Sequence, residues 1–226
     1  MDKSVAQMAT KKIQRPLGLT EEVYRRIRSD IMSLKLQPDT RILLDALSQE
    51  LGVSQTPIRE ALSMLEANGL VVRRHFSGYC TAPRMDRTQL DELFEFRLLV
   101  EPHAARRAAE KMTDEGIRTL KTVVASRVGG TDPSKAAELD TDFHKLIAEE
   151  SGNKLIAEAL EHLHIHIHIF RSCFLGNDII KAAAAEHAEI VKALRNRDAA
   201  GAENAMRRHI QRTHKRLASL ISRSAE

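Results

Sequence analysis

Three observations predict a mainly α-helical chain in two unequal parts. Apolar residues recur every three to four positions through most of the 226 residues, the spacing of helices with one buried face. The exception is a short stretch near residues 70–82, where two strand-like pieces flank a turn. Charge and histidine divide at about the same place. Residues 1–85 hold 13 Lys+Arg against 9 Asp+Glu, so they carry the whole formal excess of +4, while nine of the ten histidines follow residue 86.

Composition sets the class. At 42% hydrophobic and 29% charged the chain is an ordinary globular protein. Cys80 and Cys173 lie far apart, which argues for a reducing compartment over a disulfide-stapled secreted domain. No apolar run approaches the roughly 18 residues of a membrane span. The opening MDKSVAQMATKKIQRP lacks the apolar stretch of a signal peptide. The expected address is the cytoplasm, with no membrane partner.

Residues 1–18 are polar, contain Pro16 and Gly18, and read as a flexible arm. Thr20 is expected to cap a helix with Val23, Ile27, Ile31 and Leu34 on one face, ended by Gln37-Pro38-Asp39. A short helix with Leu44, Leu47 and Leu51 ends at Gly52. Pro57 suits the first turn of a third helix, where a missing N–H costs nothing. Ile58, Leu62 and Leu65 line its buried face, and Asn68-Gly69 closes it. Strand-like pieces at Leu70–Arg73 and Tyr79–Ala82 then enclose the turn His75-Phe76-Ser77-Gly78. From residue 86 onward six helices are expected, at about 88–112, 114–128, 133–151, 153–174, 178–196 and 198–222, with a local kink at Pro102. The fold class is therefore an N-terminal winged helix-turn-helix (19–85) and a C-terminal all-α six-helix bundle (86–226).

A basic domain of this shape suits a polyanion. The third helix has the diameter of a DNA major groove, and its first residues, Ser54, Gln55, Thr56 and Arg59, would face the bases. Arg59 can donate two hydrogen bonds to guanine, and Gln55 can pair an adenine. Ser54 and Thr56 suit phosphates. The turn at Gly78 lets the wing, with Arg73, Arg74 and His75, approach the backbone or minor groove. A small helical domain with a solvated polar face fits the spacing too.

In the C-terminal part, Asp140 and His144 are four residues apart and share a helix face. His187 and His209 lie on two later helices. One carboxylate and three imidazoles could close on a divalent cation such as Zn, Ni, Mn or Fe. Spacing alone equally allows a surface or capping pair. His162, His164, His166 and His168 alternate as a strand would, yet sit in a helical context. They read best as helix-surface and interface residues. No HExxH, nucleophile elbow or phosphate loop occurs, so the chain does not read as an enzyme.

The run Leu47-Ser48-Gln49-Glu50-Leu51-Gly52-Val53-Ser54-Gln55-Thr56-Pro57-Ile58-Arg59-Glu60-Ala61-Leu62, followed by Leu65 and Gly69-Leu70-Val71, resembles the signature of the GntR family of bacterial transcription regulators. Gln55 stands where that signature has an arginine. Residues 86–222 resemble the FCD-type ligand-binding domain of its FadR subfamily, in the shorter VanR-like group. Asp140-Thr141-Asp142-Phe143-His144 matches its D-x-x-F-H motif, Ser151-Gly152-Asn153 the S-G-N that follows, and Glu186-His187 and Arg208-His209 the two later histidine positions. The resemblance implies a homodimeric repressor of double-stranded operator DNA. It implies a divalent metal, Zn foremost, held by Asp140, His144, His187 and His209. It also implies a small carboxylate effector that the metal helps to hold, with Arg97 facing the cavity, where it could hold a carboxylate bidentately or pair with Glu101.

Overall fold

The computed structural model describes residues 17–126, 133–162 and 177–223. Among these residues the chain forms α1 (Leu17–Met32), α2 (Leu44–Leu51), α3 (Gln55–Ala67), β1 (Val71–Arg74), β2 (Gly78–Thr81), α4 (Arg87–Lys111) and α5 (Asp114–Ala125). These are followed by α6 (Pro133–Glu150), α7 (Lys154–His162), α8 (Asn177–Arg195) and α9 (Ala199–Arg223). The mainly helical class and the small two-stranded wing agree with the pattern in the sequence. The histidine tract beyond α7, and Cys173, lie outside the described residues.

Apolar periodicity places α1 and α3 face to face. Val23, Ile27 and Ile31 on α1 and Ile58, Ala61, Leu62 and Leu65 on α3 are all buried. Gly52 ends α2 in the left-handed region at φ 65, where a residue without Cβ is at ease. The α2–α3 turn is therefore tight. β1 and β2 pair antiparallel, with Val71 opposite Thr81 and Arg74 opposite Gly78. The wing is tied to the segment before α2 by Thr81, which is fully buried. Its Oγ1 donates to the Gln37 carbonyl at 2.6 Å and accepts from the Thr40 N–H at 2.8 Å.

Three details differ from the sequence reading. Helix α1 already includes Leu17 and Gly18, so Thr20 is not its cap. The Thr20 hydroxyl instead donates to Glu60 of α3 at 3.0 Å. Leu34 lies beyond the end of α1, at φ 59. The strands sit about one residue from their expected positions. Helix α4 spans Pro102, as the expected range of 88–112 did, and Ala104, Ala105, Ala108 and Ala109 just beyond it are buried.

Helix α4 starts with a reciprocal cap. Asp86 accepts from the Gln89 N–H at 2.8 Å, and the Gln89 side chain accepts from the Asp86 N–H at 3.0 Å. At 25 residues it is as long as α9, and the two pack along each other, with α6, α7 and α8 around α4. Being covered on several sides, α4 buries two charged residues, Arg97 and Glu101. The N-terminal part meets the C-terminal part where α1 touches α6. There Arg28, almost fully buried, donates to Glu138 at 2.6 Å.

Candidate metal centre and DNA-reading face

Helices α4, α6, α8 and α9 bring together the residues that the sequence singled out. Asp140 and His144 project from one face of α6, His187 from α8 and His209 from α9, and all four are buried. One ring nitrogen from each of the three histidines lies within 4.8 Å of the other two. The Nε2 atoms of His187 and His209 are 3.3 Å apart. Two nitrogens bound at about 2.0–2.1 Å in a tetrahedral zinc centre stand roughly 3.3 Å apart, so this spacing fits one shared cation. Asp140 is adjacent, its Oδ1 3.7 Å from His187 Nε2.

Two carboxylates orient the imidazoles. Glu101 lies 2.5 Å from His144 Nδ1, and Glu186 lies 2.8 Å from His209 Nδ1. An acceptor at each Nδ1 assigns the proton there and leaves an Nε2 lone pair for a cation. The ring of His187 stacks on Phe143, with centroids 3.8 Å apart. Burial lowers the pKa of His209 against the opposing pull of Glu186, which keeps the imidazole in its neutral, ligating form. Burial also pushes the Glu186 carboxyl up. The hydrogen bonds from Arg216 and His209 outweigh it and hold Glu186 at about 2. Arg216 meets both Glu186 oxygens, at 2.8 and 2.9 Å.

Arg97 takes the ion-pair role open to it in the sequence. Its Nε donates to Glu101 at 2.6 Å, while its buried Nη2 has no hydrogen-bond partner among the described residues. A buried guanidinium nitrogen left in this state is costly and is ready to donate to an incoming oxygen. Sequence reasoning missed Glu101 and Glu186 as orienters and Arg216 as the brace behind Glu186. Glu101 at four residues from Arg97, and Glu186 beside His187, were the only local signals.

In the N-terminal part Ser54 is the N-cap residue of α3, its side chain not used in capping. Ser54, Thr56 and Arg59 are exposed and Gln55 is half-buried. Gln55 donates to Asp45 at 2.6 Å and accepts from Arg59 at 3.1 Å. Arg73, Arg74, His75 and Gly78 are exposed on the wing, and Arg74 pairs with Asp39. Arg41, Gln55, Arg59, Arg73 and Gly78 line one cleft, so the start of α3 and the wing share a face. Arg41 and Asp45 were not foreseen there.

A winged helix-turn-helix with an exposed recognition helix, joined to an all-helical unit with a buried imidazole cluster, is the architecture of a DNA-binding regulator. The chain belongs to the GntR family of bacterial regulatory proteins and carries an FCD domain, with residues 19–80 matching the first and 92–212 the second. Its relatives are transcription regulators, not enzymes. It is 23% identical over 220 residues, 95% of this chain and 98% of the other, to the HTH-type transcriptional regulator YdhC of Bacillus subtilis. It is 26% identical over 200 residues, 85% of this chain and 86% of the other, to the HTH-type transcriptional repressor RspR of Escherichia coli. Among solved structures, McbR/YncC of E. coli shares the fold with a TM-score of 0.69 at 20% identity, covering 90% of this chain and 98% of that one. The metal-free FCD domain of TM0439 matches 61% of this chain and 97% of its own length, with a TM-score of 0.53 at 21% identity. No helix among the described residues is long and apolar enough to cross a membrane.

Proposed function

We propose that this chain is a cytoplasmic, homodimeric repressor whose grip on operator DNA is controlled by a small organic acid. A DNA-binding unit (19–85) precedes an effector- and metal-binding, dimerisation unit (86–226). The observation that carries the reading is the convergence of three buried imidazoles with Asp140 beside them and with Arg97 Nη2, which has no hydrogen-bond partner among the described residues. His144, His187 and His209, with Asp140, would hold a divalent cation, zinc foremost, with Glu101 and Glu186 keeping the His144 and His209 lone pairs available. A bound cation supplies a Lewis-acidic coordination position for a carboxylate oxygen. Arg97 Nη2 donates to the acid, and the buried surroundings exclude water and strengthen that contact.

On the DNA side, Arg59 reads a base edge, with Gln55 beside it and Ser54 and Thr56 on phosphates. Arg73, Arg74, His75 and Gly78 bring the wing to the backbone. Two protomers would present two such faces to an inverted repeat. The signal has a physical route. Helix α6 carries Asp140 and His144, and Glu138 of the same helix binds Arg28 of α1, so a shift of α6 on effector binding moves the reading head. To release DNA the acid must bind the released arrangement more tightly than the bound one. The relative named a repressor supports the direction chosen.

The test is a gel shift with a duplex recovered by selection from a random-sequence pool, repeated with a panel of small carboxylic acids. Sequence-specific binding at physiological salt, relieved by one of the acids only in metal-loaded protein, is expected. Absence of specific binding would overturn the reading.

A further inference from the structure

At the tip of the wing stands Phe76, 92% exposed and the most exposed large apolar side chain among the described residues. Its backbone lies at φ 64, a left-handed conformation that bulky residues seldom adopt and that tends to persist where function selects it. Gly78 follows at φ 73, so the loop turns sharply and Phe76 stands clear of the core. The ring rests against His75, with centroids 3.9 Å apart.

Its surroundings are cationic. Arg73 and Arg74 precede it and are exposed. Arg74 is anchored by Asp39, and Arg73 lies 5.7 Å from the centroid of Tyr79. An apolar tip within a cationic collar suits neither bulk water nor an ordinary apolar protein surface. It matches a nucleic-acid groove, with stacked bases between two rows of phosphates. The tip also lies on the side of the molecule that carries the start of α3, since Gln55, Arg59, Arg73 and Gly78 line one cleft.

We infer that Phe76 is a minor-groove wedge. With α3 in the major groove, the wing reaches the neighbouring minor groove and the phenyl ring enters between two base pairs, partly unstacking them and kinking the duplex. Arg73, Arg74 and His75 hold the phosphates on either side. The wedge selects sequence without hydrogen bonds, because pyrimidine–purine steps open most easily. This inference rests on the DNA-reading role given to α3 above.

The probe is a duplex selected from a random-sequence pool by the wild-type protein, with dyes at its ends to report bending and 2-aminopurine at the step facing the wing. Phe76→Ala should weaken binding about tenfold, reduce the bend and abolish the 2-aminopurine brightening, with non-specific duplex affinity unchanged. Phe76→Leu, still an apolar wedge, should keep most of all three. Both variants should melt as wild type does, since the side chain is outside the core. Arg59→Ala separates the two claims. If it abolishes specific binding while Phe76→Ala binds and bends as wild type, the wedge is refuted and the role of α3 stands. If neither variant matters, the role of α3 fails as well. Weakened binding by Phe76→Ala on a duplex that the wild type neither bends nor unstacks also refutes the wedge.

Discussion

Glu101→Gln perturbs the buried chain that runs from Arg97 through Glu101 to His144. Glu101 is 1% exposed and holds Arg97 Nε at 2.6 Å and His144 Nδ1 at 2.5 Å. Neutralising it leaves the Arg97 guanidinium, also 1% exposed, as an uncompensated buried charge. Breaking such a pair from one side costs about 3–5 kcal/mol. In a domain of this size 1 kcal/mol corresponds to roughly 2–4 °C, so metal-free protein should melt about 6–20 °C lower. Loss of the carboxylate that orients His144 should separately weaken metal binding by about 10–100-fold. Melting of chelator-treated protein reads the first effect, and competition against a chromophoric chelator reads the second. The double variant Arg97→Met/Glu101→Met distinguishes them. It removes both charges, so stability should return towards wild type, but His144 remains unoriented and the affinity loss should persist. A single variant that melts within about one degree of wild type would refute the reasoning. So would a double variant that binds metal normally.

Other expectations follow from named contacts. Thr81→Val removes the buried hydroxyl that satisfies the half-buried Thr40 N–H and the Gln37 carbonyl. It should cost about 1–3 kcal/mol in urea unfolding, and a loss below about 0.5 kcal/mol would contradict the role given to Thr81. Glu186 is held at about 2 against an ordinary 4.5, so its contribution is fully present above pH 4.5 and is lost as pH falls towards 2. In metal-free protein the urea midpoint should fall more steeply across that window for wild type than for Arg216→Met; equal slopes would count against the Arg216 brace. Arg28→Met with Glu138→Leu removes both partners of the pair joining α1 to α6. Specific DNA affinity should stay within a few-fold while the response to acid is weakened, and an unchanged response would place the coupling elsewhere.

The parts of the fold governed by local chemistry were legible in the sequence. Gly52 announced the turn before α3, Pro57 its first turn, and the spacing of Ile58, Leu62 and Leu65 its buried face. The expected breaks between 112 and 114 and between 151 and 153 fall close to where the structure ends those helices. What local pattern could not supply was tertiary. Thr20 has the chemistry of a cap, but its hydroxyl is used by Glu60, forty residues away. The candidate metal residues could be named from Asp140 and His144 at helical spacing and from matching motifs. The Glu101 and Glu186 contacts depend on helices that meet only in the folded chain. Nor did the sequence show that the Gln55 amide is engaged at both ends, by Asp45 and Arg59.

The central claim is a metal centre built from His144, His187, His209 and Asp140. Elemental analysis after incubation with zinc and desalting tests it most directly, on wild type beside His187→Ala. About one zinc per chain in the wild type, lost in the variant while its helical content is retained, is the predicted result. No zinc in either protein, or equal zinc in both, would contradict the account.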